Sequence, residues 1–115
     1  MKTVEATQAR IIICTCPNAQ VAEQLSKGLM AEHLAMYVNI VPNLQSHYRW
    51  QGKIEQAQEY LLLIKTVRAF SDVEVFLLAN HPYGCPEILS LGIEQVNQGY
   101  MAWLSSGGNA DAVSR

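Results

Sequence analysis

Ile54-Glu-Gln-Ala-Gln-Glu-Tyr-Leu-Leu-Leu-Ile-Lys-Thr66 decides the fold. Side chains on a strand alternate between faces, so Ala57, Glu59, Leu61, Leu63 and Lys65 share one side, and Gln58, Tyr60, Leu62 and Ile64 share the other. The middle of this strand is therefore apolar on both sides. One face is expected to meet the domain core and the other a partner subunit. Just upstream, Trp50-Gln-Gly-Lys53 suits a tight hairpin turn. Before the turn, Met36-Tyr-Val-Asn-Ile-Val41 is β-rich and runs toward Tyr48, past a Pro42 that fits only an edge or a bulge.

Working outward, the β-branched run Ile11-Ile-Ile13 ends at Thr15 and Pro17 and reads as a buried strand. Asn18 can cap a helix in which Val21, Ala22, Leu25, Gly28 and Leu29 recur at helical spacing, ending near His33. Ser71 with Glu74 has the form of a capping box, and Val73, Phe76, Leu77 and Asn80 mark one face of a second helix that His81-Pro82 stops. Glu87 to Ile93 returns as a strand, and Tyr100 to Leu104 forms a short closing helix. The order β-α-β-β-α-β is an α+β, ferredoxin-like arrangement with a long hairpin. Residues 10–105 make the domain, 1–9 an N-terminal extension and 106–115 a flexible tail. Right-handed crossovers put the first strand centrally, antiparallel to the third and fourth. Cys14 and Cys16 should then lie near the loop that carries His81, Tyr83, Cys85 and Glu87.

At 115 residues the chain holds one good core, not two. Its hydrophobic share of 50% against 16% charged residues suits a subunit that hides more surface than its own fold covers. The net charge of −2, with scattered Lys and Arg, argues against nucleic acid as a partner. The apolar runs fall far short of the roughly 20 residues of a membrane helix. The first ten residues lack the apolar region of a secretory signal, so the cytoplasm is the expected address. Three cysteines cannot all pair within a chain, and Cys14 and Cys16 stand too close for a strand disulfide, so all are read as reduced thiols. No Gly-x-Ser-x-Gly, Walker, His-Glu-x-x-His or Gly-x-Gly-x-x-Gly motif occurs. A Cys14 or Cys85 pair with His81 would lack an orienting third group and an oxyanion hole, so an enzyme is not expected.

Several segments agree with one family: Cys14-Thr-x-Pro-Asn18, Val38-Asn-Ile-x-Pro42, Ser46-x-Tyr-x-Trp-x-Gly-Lys-Ile-Glu55, Glu59, Lys65-Thr66, His81-Pro-Tyr-x-x-Pro-Glu-Ile88 and Tyr100-x-x-Trp103. From about Ile11 to Leu104 they resemble CutA, the divalent-cation-tolerance proteins. The resemblance implies a stable cytoplasmic homotrimer of ferredoxin-like subunits, PII-like in shape, that binds copper or another divalent metal ion. In one place the chain departs from the pattern. Where many members carry Leu-Ala-Ala-Cys after the first helix, it reads Leu34-Ala-Met-Tyr37, so metal chemistry of that cysteine does not carry over.

Cys14 and Cys16, at i and i+2, can share one face, and with His81, Cys85 and Glu87 they form the candidate metal set for Cu(I) or Zn(II). The plainer reading treats the two thiols as small core residues and His81 as a hydrogen-bonded helix stop. Tyr48, Trp50, Tyr83 and Trp103 are candidate core or interface anchors. Glu59 and Lys65, six positions apart on one face, are too distant to pair with each other. Solvent or an interface network with Arg49, Lys53 or Glu87 is open to each. The leading expectation is a trimeric divalent-cation-binding protein. The alternative is a PII-like signalling or scaffolding trimer with a small molecule or partner protein in its inter-subunit clefts.

Overall fold

The computed structural model describes residues 3–5 and 8–108, with side chains for 8–108. The elements are β1 (Thr3–Glu5), β2 (Arg10–Cys16), α1 (Ala19–Ala31), β3 (Tyr37–Trp50), β4 (Lys53–Thr66), α2 (Phe70–Asn80), β5 (Ile88–Gly92), β6 (Gln95–Asn97) and α3 (Gln98–Ser105). The main sheet has the order β3-β4-β2-β5 and is antiparallel throughout. This is the expected split arrangement, with β2 between β4 and β5.

Local chemistry sets the element ends. Asn18 caps α1, its side chain accepting from the Val21 N–H at 2.9 Å. Gln51 and Gly52, both at positive φ, make the two-residue turn between Trp50 and Lys53. Both positions of a turn that matches strand twist need positive φ, and glycine supplies it without strain. Pro42 sits where the β3–β4 register shifts between Val41 and Leu44, next to Asn43 at φ 63°. Because β3 is an edge strand, the missing N–H of Pro42 breaks no second ladder.

Three boundaries differ from the sequence reading. First, α2 begins at Phe70 with Ala69 at its N-cap, and no side chain caps it. Phe70 packs on the core and draws the helix start forward, so Ser71 lies inside the first turn and forms no capping box. Second, α3 is longer than expected, because Asn97 caps it by accepting from Gly99 and Tyr100 N–H groups. Third, Thr3–Glu5, placed in the extension, pairs antiparallel with β6 in a second, two-stranded sheet. Of the tail, 106–108 form a turn in which the Gly108 N–H returns to the Trp103 carbonyl, and 109–115 lie outside the described residues.

The core fills one side of the main sheet. Ile12, Cys14 and Cys16 of β2 and Leu62 and Ile64 of β4 pack with Ala22, Leu25 and Leu29 of α1 and with Val73 and Leu77 of α2. The helices meet closely at Gly28, where a Cβ would lie 2.5 Å from Phe76 Cζ. At the N-terminal end of β2, Ala9 and Leu104 gather Met36, Val67, Ile93, Val96 and Trp103 in a second cluster.

The opposite sheet face stays apolar. By register, Ile13 aligns with Leu63 and Leu89, and Ile11 with Leu91. Leu89 and Leu91 are 50% and 52% exposed. The hairpin runs on past the end of β2, whose last partner on β4 is Tyr60, so the outer part of β3–β4 is a two-stranded ribbon. It accounts for the long axis of a molecule measuring 49 × 26 × 26 Å.

Candidate functional site

His81 ends α2, its N–H bonding the Leu77 carbonyl before Pro82 makes further helix impossible. Its ring lies 2.8 Å through Nε2 from the Thr15 carbonyl and 3.1 Å through Nδ1 from the Tyr83 N–H. A carbonyl only accepts and an N–H only donates, which places the proton on Nε2 and spends the Nδ1 lone pair on Tyr83. The Tyr83 ring lies tilted against the imidazole at 4.8 Å between centroids, and its hydroxyl donates to Glu59 Oε2 at 3.0 Å. The chain Thr15–His81–Tyr83–Glu59 thus fastens the loop after α2 to β2 and β4.

Cys14 and Cys16 point the other way, into the core, where both are 0% exposed. Burial, then the Cys16, Glu87 and Glu59 charges, pushes the Cys14 thiol up to about 12, and burial, then Glu59, pushes Cys16 to about 11. Ligation needs a thiolate, which these surroundings disfavour. Cys85 is an exposed free thiol, and Glu87 is exposed as well. The structure therefore splits the five candidate ligands: two thiols in the core, His81 in the tether, Cys85 and Glu87 at the surface. Among the described residues no group of three or more His, Cys, Asp or Glu side chains could hold a metal ion.

Cys85 and Glu87 line a pocket of about 780 Å3 together with Thr15, Glu59 and Tyr83. Tyr48 and Trp50, from the hairpin ribbon, form its aromatic wall. Glu59 is 8% exposed, and its carboxylate accepts from the Tyr83 phenol. Burial first, then the bond to Glu59, pushes Tyr83 up to about 12, so the phenol keeps the proton it donates. Sequence reasoning placed Tyr83 and Glu59 among interface residues and missed Thr15. Strand alternation carried that signal: if Cys14 and Cys16 face the core, Thr15 faces away from it.

The other interface candidates separate. Lys65 donates to Asn39 Oδ1 at 2.7 Å and sits 4.3 Å from the Tyr37 ring centroid. Trp103 meets Tyr37 edge-on at 6.2 Å. Lys65 and Trp103 thus share the Tyr37 cluster, while Tyr48 and Trp50 stand 45% and 50% exposed on the ribbon.

An antiparallel split-βαβ sheet, helices on one face and a thiol-, carboxylate- and aromatic-lined pocket beside its last strand define a small α+β domain built around one recessed site. The chain belongs to the CutA1 divalent ion tolerance protein family, whose model matches residues 10–107. It is 45% identical over 95 residues to the divalent-cation tolerance protein CutA of Thermus thermophilus, covering 82% of this chain and 92% of that one. It is 39% identical to human protein CutA over 78% of this chain, and there it spans 51% of the relative's length. Among solved structures, CutA from Synechococcus elongatus superposes with a TM-score of 0.87 at 32% identity, covering 94% of this chain and 96% of that one. The solved divalent cation tolerance protein of Thermus thermophilus gives 0.80 at 44% identity, covering 84% of this chain and 94% of that one.

Proposed function

We propose that this chain is the subunit of a cytoplasmic, PII-like homotrimer that serves divalent-cation tolerance by binding the ion, copper among the candidates, rather than by catalysis. Residues 10–105 are its working unit. The family supports a role in metal tolerance, and the bare apolar sheet face supports assembly. One observation carries the location: Cys85 and Glu87 bring a thiol and a carboxylate to the accessible rim of the same pocket. Two donors do not complete a tetrahedral site, so a neighbouring subunit supplies the rest.

Native mass spectrometry of the intact assembly, with calorimetric titration of Zn(II) and, under reducing conditions, copper, tests this. Cys85→Ser and Glu87→Gln should each lower affinity about tenfold or more, while Cys14→Ser should leave it unchanged. Loss of affinity in Cys14→Ser or His81→Ala with Cys85→Ser unaffected would move the site to the core thiols. A trimer that binds neither metal would turn preference to the signalling or scaffolding alternative.

A further inference from the structure

The pocket has features that a metal ion does not need. Its volume of about 780 Å3 lies in the range of small-molecule sites, roughly 300–1,000 Å3. Three aromatic side chains, Tyr48, Trp50 and Tyr83, line it with two carboxylates, Glu59 and Glu87, and no Lys or Arg belongs to the lining. Glu59 is more than nine-tenths buried, yet the ion pairs found among the described residues are Lys27–Glu23 and Arg68–Asp72, both elsewhere. A buried carboxylate held by one neutral phenol is poorly compensated, since burying a charge is unfavourable unless an opposite charge joins it. An anionic ligand would meet two carboxylates, with the His47 imidazole as the one basic side chain in the lining. A neutral ligand could donate a hydrogen bond to Glu59 but would bury it further without an opposite charge.

We infer that the pocket receives an aliphatic ammonium or guanidinium group, which Glu59 accepts at its floor while the aromatic wall covers the cation and its carbon chain. Both cations are drawn to the negative face of a tryptophan or tyrosine ring, and their N–H groups suit a carboxylate. Two sources can deliver this chemistry. One is a free organic amine. The other is a second copy of this chain, whose hairpin end exposes Arg49 and Lys53 beside the turn. The inference does not rest on the metal proposal: Glu59 and the rings take the cation, and Glu87, which the two share, only adds negative charge at the rim.

The test is calorimetric titration of the chelator-treated native assembly with n-butylammonium and n-butylguanidinium, with 1-butanol as the neutral isostere. Saturable binding of a cation, absent for 1-butanol and weakened at least about tenfold in Glu59→Gln, supports the inference and identifies a free amine as the source. Glu59→Gln keeps an acceptor for Tyr83, so the change leaves that tether in place. If the wild type binds neither cation but Arg49→Gln or Lys53→Gln does, the second copy fills the pocket, which also supports it. Binding in none of these proteins, or equal binding in Glu59→Gln, overturns it. Because the assembly is chelator-treated, cation binding is read with no metal present, so either proposal can fail alone.

Discussion

Cys85 and the pair Cys14 and Cys16 share a side chain but not an environment. Exposed Cys85 should take up one equivalent of iodoacetamide per folded chain at pH 8, while Cys14 and Cys16 stay unmodified until denaturant is added, as counted by intact mass. Modification of Cys14 at the rate of Cys85 would contradict the burial that raises it. The same burial makes stability depend on alkaline pH. Unfolded, these thiols ionise near 9, whereas folded they hold their protons to about 12 and about 11. Between those values the unfolded chain has released protons that the folded one keeps. The thiols' contribution is thus fully present below about pH 9 and is lost as pH rises toward 11 to 12. A melting temperature that declines across that window, and less steeply in Cys14→Ala, is the expected outcome. His81→Ala should lower stability by about 1–3 kcal/mol in urea denaturation, since it leaves the Thr15 carbonyl and the Tyr83 N–H without their ring partners.

Gly28 of α1 and Phe76 of α2 control how closely the two helices lie. In an isolated helix Gly→Ala would stabilise by about 1 kcal/mol, but here the new methyl would meet the Phe76 ring at 2.5 Å. Gly28→Ala should therefore destabilise by about 1–3 kcal/mol, and a Phe76→Leu background should relieve most of that, a coupling measurable by a double-mutant cycle in urea. At this scale the sequence was most legible where a pattern repeats. The period-two run from Ile54 to Thr66, the helical spacing after Asn18 and the Gly52 turn each carry several residues of agreement, and their elements appear where expected. Helix starts were less legible: Ser71 and Glu74 have capping-box form, yet the packing of Phe70 prevails over it. The β1–β6 pairing was illegible because three-residue strands carry no period. In the site, the approach of the His81 loop to β2 followed from strand order. Its division between a core side and a pocket side did not, because it turns on the side to which each side chain points. Cys14 and Thr15, adjacent in the chain, belong to different halves of the molecule.

The whole molecule leaves one large imbalance: helices cover one face of the sheet, and Ile13, Leu63, Leu89 and Leu91 share a face where Leu89 and Leu91 are about half exposed. Contiguous apolar surface of this kind marks an interface. Three copies related by a closed rotation would bury it and cover the ribbon edges at the same time. Two classes of exposed apolar residue separate this cause from general stickiness. Leu89 lies on the sheet face, whereas Val75, 68% exposed, lies on α2 in the helix layer. In the proposed trimer Leu89→Glu would bring three like charges together, so the variant should sediment as a monomer at micromolar concentration with its secondary structure intact. Val75→Lys, equally polar, should keep the assembly state of the wild type. Trp50→Ala on the ribbon should weaken association by about 2 kcal/mol or more if the ring is an anchor against a neighbour, an intermediate result visible as concentration-dependent dissociation. Should Leu89→Glu sediment as the wild type does, the sheet face is not the interface. If Val75→Lys alone dissociates the assembly, the contact lies in the helix layer.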